Sequence, residues 1–204
     1  MIKAIKLKKI VFFVVLFGTI FGILYYKFFL FGNNISKNRS DKIEDILSSM
    51  ENYCADVTVS VTSNKTQNSY QMYQEVKKDW SMQEIKEGEN IAGVKIELSG
   101  DNLKVCNTKL NLEKVYENYS NLLNNSLFLN SFGNDYKNEQ NEVSCYEEDG
   151  QKIVEIKLNS NQNTYIKYKK LYVDSKTKLP TKLEIKSHRK KETICIIYNN
   201  IELK

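Results

Sequence analysis

LYVDSKTKLPTKLEIKSHRKKETICIIYNNIEL, residues 171–203, is the stretch on which the fold turns. Leu171 and Val173 close an extended segment that begins at Tyr165. Asp174 to Pro180 is a polar turn, after which Leu183 and Ile185 alternate with charged residues. A basic run, His188 to Lys191, separates these from Ile194, Ile196 and Tyr198. Apolar residues at a period of two, interrupted only by polar turns, predict consecutive antiparallel strands.

The same period extends upstream. Ala55, Val57, Val59 and Val61 alternate with Asp56, Thr58, Ser60 and Thr62, the pattern of a half-buried strand. Ser69–Lys78, the segment from Trp80 to Glu84, Val94–Leu98 and Leu103–Asn107 continue as a meander. Val143–Tyr146 and Val154–Leu158 flank Asp149-Gly150, a strong hairpin signal. Two segments read as helical. Asp41–Tyr53 opens on a D-x-x-E box and carries Ile43, Ile46, Leu47 and Met50 as one stripe. Leu110–Phe132 spaces Leu112, Val115, Tyr116, Tyr119, Leu122 and Leu123 for a helix, with Leu127, Leu129 and Phe132 starting a second before Gly133. Amphipathic strands with few helices predict an α+β domain, a curved sheet over helices.

The first forty residues differ in kind. Lys3, Lys6, Lys8 and Lys9 precede an apolar run, residues 10–31, broken only by Lys27. As a helix at about 1.5 Å per residue, that run spans about 30 Å of hydrocarbon. No A-x-A-like cleavage site follows it. The expected organisation is a basic cytoplasmic tail (1–9), a transmembrane signal anchor (10–31), a linker (32–40) and an extracytoplasmic domain (41–204). The four lysines set the orientation, with the N-terminus in the cytoplasm.

Residues 1–39 hold seven bases and no acid, so the remaining 23 bases and 25 acids leave the rest of the chain slightly acidic despite an overall charge of +5. Nucleic acid is not an expected partner. The four cysteines, Cys54, Cys106, Cys145 and Cys195, form no C-x-x-C pair, and sequence alone chooses no disulfide. The chain has one histidine, His188, in the basic turn, and no P-loop, H-E-x-x-H, G-x-S-x-G or G-x-G-x-x-G. No catalytic, cofactor-binding or metal-binding residue is therefore assigned, and the expected activity is binding rather than catalysis. Tyrosines recur on the strands at Tyr70, Tyr73, Tyr165, Tyr168, Tyr172 and Tyr198. Tyr73, Trp80 and Met82 are the candidate partner-binding residues, since aromatic side chains and methionine are enriched at interfaces.

Three stretches carry a family resemblance: Tyr53-Cys54-Ala55 through Lys65 and Tyr70, the insert NLLNNSLFLNSF at 121–132, and Tyr165–Asn200 with its D-x-x-T-x-x-P turn. The closing strands resemble those of LolA-like lipoprotein-carrier folds, and with the insert the chain resembles the spore germination lipoprotein GerS family. The resemblance implies an open antiparallel half-barrel wrapped over helices and no catalysis. It also implies a role in spore formation or germination at a forespore or spore membrane, and a CwlD-like N-acetylmuramoyl-L-alanine amidase of the cortex as partner. The family's lipid-attachment cysteine has no counterpart, because the first cysteine is Cys54. A lipid or lipoprotein carrier, using the apolar concavity of such a fold, is the alternative. Open sheet edges leave a homodimer in play.

Overall fold

The computed structural model describes residues 41–88, 91–119, 127–159, 166–189 and 192–204. Its strands are β1 (Tyr53–Thr62), β2 (Gln67–Lys77), β3 (Trp80–Glu87), β4 (Val94–Ser99), β5 (Asn102–Asn107), β6 (Leu112–Tyr116), β7 (Glu142–Glu148), β8 (Gln151–Lys157), β9 (Tyr168–Asp174), β10 (Pro180–Lys186) and β11 (Thr193–Leu203). Two helices accompany them, α1 (Asp41–Ser49) and α2 (Leu129–Lys137).

All eleven strands join one antiparallel sheet, in the order β6-β5-β4-β3-β2-β1-β11-β10-β9-β8-β7. Two meanders thus run outward from a shared centre. The seam is β1 against β11, from Tyr53 opposite Leu203 to Thr62 opposite Thr193, with a bulge at Asp56/Val57. The Asp149-Gly150 turn joins β7 to β8, and both residues have positive φ, 49° and 73°. That pair suits the tight hairpin turn that matches strand twist.

One sheet face carries the helices. Ala55, Val57 and Val59 of β1, Met72 and Val76 of β2, Leu171 and Val173 of β9, and Leu183 and Ile185 of β10 are buried there. Ile43, Ile46 and Leu47 of α1, with Met50 just beyond it, cover them, together with Phe128, Leu129, Phe132 and Tyr136 of the α2 segment. Two polar tethers fix α2. The Tyr53 hydroxyl accepts the Leu129 N–H (3.3 Å) and donates to Gln74 Oε1 (3.2 Å), while Gln74 Nε2 donates to the Leu127 carbonyl (3.4 Å). The N-cap residue Phe128 makes no side-chain cap of its own, so Tyr53 satisfies an amide that the helix leaves open. Further along, Lys169 of β9 is buried, donates to Ser131 Oγ (3.1 Å) and pairs with Asp135. Burial pulls its pKa below the ordinary lysine value, against the opposing Asp135 charge.

The structure corrects the expected fold class and localisation. No helix among the described residues is long and apolar enough to cross a membrane. Each of the two described helices has nine residues, about 14 Å at ~1.5 Å per residue, half of what a bilayer needs. The segment 10–31 and the lysines at 3, 6, 8 and 9 lie outside the described residues. The described residues form an antiparallel sheet with two short helices, which supports neither the expected N-terminal transmembrane helix nor the expected single-pass membrane localisation.

A second correction concerns residues 112–116, expected to be helical. They form β6, paired with β5 from Leu103 opposite Tyr116 to Asn107 opposite Leu112. The i, i+3, i+4 spacing of Leu112, Val115 and Tyr116 has no core to face: all three are exposed. Asn107 Oδ1 accepts the Lys109 and Leu110 amides, and Asn111 turns with φ 52°, so the local chemistry makes a hairpin instead. The short helix expected to stop before Gly133 runs through it to Lys137. The strand expected from Tyr165 begins at Tyr168, and Tyr165 and Leu122–Leu123 lie outside the described residues.

Candidate protein-interaction surface

The sheet face away from the helices is polar and striped. On β2, Met72, Gln74 and Val76 are buried toward the helices, so Tyr73, Glu75 and Lys77 point the other way. The β2–β3 register places Lys77 opposite Trp80, Glu75 opposite Met82 and Tyr73 opposite Glu84. Directly opposed residues share a face. Tyr73, Trp80 and Met82, the three sequence candidates, therefore lie together on this outer face.

Their environments differ. Trp80 is half-buried, with Lys77 Nζ 5.0 Å from its ring centroid. Tyr73 is also half-buried, with Lys86 Nζ 5.8 Å from its ring. Its hydroxyl is pushed up to about 12 by burial and by the neighbouring Cys54 and Glu75. Met82 is only 6% exposed, so it serves as the floor between its neighbours rather than as a projecting anchor. Glu75 pairs with Lys77 (3.0 Å) and Lys204 (3.8 Å), and the Lys77 hydrogen bond holds its carboxyl below the usual range. Two half-buried aromatic side chains on either side of an apolar floor, among paired charges, have the composition expected of a protein-binding patch.

The row continues across the sheet. Met82 opposes Glu97, Glu97 opposes Lys104, and Lys104 opposes Val115 of the edge strand β6. Lys104 also pairs with Glu113 at 2.9 Å, which lowers that carboxyl. At this edge Leu110, Leu112, Val115 and Tyr116 are exposed, four of the six exposed large hydrophobics among the described residues, with Val115 on the outer face and Leu112 and Tyr116 on the other face of β6. Sequence reasoning missed this exposed apolar edge because its helical spacing reads as a core stripe.

A separate cluster occupies the far side of the same face. The Tyr146 hydroxyl donates to Glu155 (2.8 Å) and accepts from Lys170 (2.7 Å). Lys182 Nζ stands 3.9 Å from the Tyr172 ring. Tyr168 and Tyr172 belong to this outer face, whereas Tyr198 is buried on the helix side and Tyr70 is half-buried there.

Chemistry of other kinds finds little to work with. Among the described residues no three His, Cys, Asp or Glu side chains gather in a metal-binding group. His188 is exposed in its turn. The four cysteines are free thiols. Cys54 and Cys195 sit on adjacent strands but opposite Glu202 and Ser60 respectively, too far apart in register to bridge.

A family model described as "Sporulation protein YdcC-like" matches residues 7–204. No curated protein matches the chain significantly. Among solved structures, the chain is similar to a LolA superfamily protein from Nitrosomonas europaea, at 14% identity over 79% of this chain and 93% of that one, TM-score 0.42. It is similar to a chain of the complex between the CwlD amidase and the GerS lipoprotein from Clostridioides difficile, at 24% identity over 80% and 89%, TM-score 0.45. It is also similar to an uncharacterized conserved protein from Thermus thermophilus, at 9% identity over 80% and 88%, TM-score 0.47.

Proposed function

This chain belongs to the YdcC-like sporulation protein family, and from that premise we propose that it is a non-catalytic accessory protein of spore formation or germination that binds and regulates a cortex N-acetylmuramoyl-L-alanine amidase. The family match over residues 7–204 is the observation that carries the sporulation role. The amidase is the partner that the resemblance in residues 53–70, 121–132 and 165–200 implies. The outer face around Tyr73, Trp80 and Met82 supplies the docking surface. Trp80 is the anchor, Met82 the apolar floor beside it, and Tyr73 lies on the other side of Met82 along the β2–β3 ladder. The carrier alternative draws no support from the helix-bearing side. There the protein's own Met50, Leu129, Phe132 and Tyr136 fill the space between sheet and helices.

The test is binding of the purified full chain to a sporulation N-acetylmuramoyl-L-alanine amidase, read by biolayer interferometry. Wild type is expected to bind saturably. Trp80→Ala is expected to weaken binding about tenfold or more, the scale of a hot-spot residue, with an unchanged far-UV spectrum. Absence of saturable binding by the wild-type chain sinks the proposal.

A further inference from the structure

We propose that β6 is a strand-addition site: an extended segment of the partner pairs along its open edge and continues the sheet beyond Tyr116. This rests on the reading of the chain as a partner-binding protein and deepens it, because β6 ends the same cross-strand row that begins at Met82.

The two edges of the sheet are built differently. Glu142, Glu147 and Glu148 line β7, so that edge repels an incoming strand with charge. On β6 every residue is exposed, and Leu112, Val115 and Tyr116 are apolar. An exposed apolar edge is a hazard that proteins ordinarily cover or blunt. This one is also held in shape. Asn107 Oδ1 and Asn111 shape the turn before β6, and after it Asn118 turns with φ 53° while the Tyr119 N–H donates to the Asp101 carbonyl (2.7 Å). A strand fixed at both ends loses little freedom when a partner adds to it.

The charges indicate what adds. A second copy fits badly. Two-fold antiparallel pairing of β6 with itself keeps each face on its own side, so only residues of equal parity meet. Centred on Lys114, it opposes two ammoniums; centred on Glu113, two carboxylates; centred on Val115, it sets Glu113 against Glu117. Like charges directly opposite destabilise a strand pair. Glu113 is already satisfied by Lys104, whereas Lys114 lies over the Tyr116 ring (4.7 Å) and has no carboxylate partner among the described residues. The complementary occupant is therefore an extended heterologous segment with apolar residues opposite Leu112, Val115 and Tyr116 and an acidic residue facing Lys114.

Hydrogen–deuterium exchange on the full chain, alone and with the amidase, tests this together with the affinity of Leu112→Lys/Val115→Lys. The expected result is slowed exchange at amides 112–116 in the complex and an affinity loss of about tenfold or more for the double variant. Ser144→Lys on the β7 edge is expected to bind like wild type. An amidase that binds while β6 exchanges at its free rate, with the double variant unimpaired, overturns strand addition and leaves the amidase reading standing. No amidase binding at all overturns both. A chain that is dimeric alone, with β6 amides already protected, also overturns the proposal.

Discussion

Tyr53 shows how one side chain organises this protein. The sequence reading sets it at the end of the helical segment Asp41–Tyr53, whereas the helix ends at Ser49 and Tyr53 opens β1. In the fold it is fully buried, and its hydroxyl links β1, β2 and α2 at once. Burial pushes its pKa far above the ordinary tyrosine value, so it stays neutral across the physiological range. Tyr53→Phe keeps the ring but strands the Leu129 amide and the Gln74 side chain. It is expected to lower unfolding free energy by about 1–3 kcal/mol, the cost of leaving buried polar groups unpaired, measured by urea denaturation. A loss below about 0.5 kcal/mol would mean that water or another group takes over the hydroxyl's role.

Among the elements, the β9–β10 turn was fully legible. Its D-x-x-T-x-x-P pattern forms because Asp174 Oδ1 accepts the Lys176 and Thr177 amides (2.9 and 2.6 Å) and the Thr177 hydroxyl (3.0 Å). The bonds from Thr177 hold the Asp174 carboxyl below its ordinary value. A depressed carboxylate contributes stability that is complete above its unfolded pKa, near 4, and is lost as pH falls through the folded value. The melting temperature of wild type is therefore expected to converge on that of Asp174→Ala as pH drops below about 4, and to exceed it at neutral pH. A gap that does not change with pH would remove the charged state from the explanation. The strand β6 was illegible for the opposite reason. Leu112, Val115 and Tyr116 carry a helical spacing, and only the absence of any surface to bury them against lets the Asn107–Asn111 turn chemistry prevail.

Over the whole molecule, the seam between β1 and β11 joins the two meanders. It pairs residues more than 130 positions apart, such as Thr62 with Thr193. Both neighbours of the seam bury their inner faces on the same helices, so neither meander has a complete core alone. A chain ending at residue 192, without β11, is expected to lose cooperative thermal unfolding and near-UV circular dichroism. Retention of a sharp transition would show that β2–β1 and β10–β9 hold the helices independently.

The sequence by itself determined the strand alternation in β1, the hairpin at Asp149-Gly150, the α1 stripe and the closing turn. Each depends on contacts or backbone preferences within a few residues. It also placed Tyr73, Trp80 and Met82 on strands without saying that they share one face. Only the tertiary structure decided that, through the β2–β3 register, and it made Met82 a buried floor rather than a projecting contact. The same holds for β6 and for the Tyr53 cap: exposure and long-range pairing are properties of the assembled sheet, which periodicity within a segment does not encode.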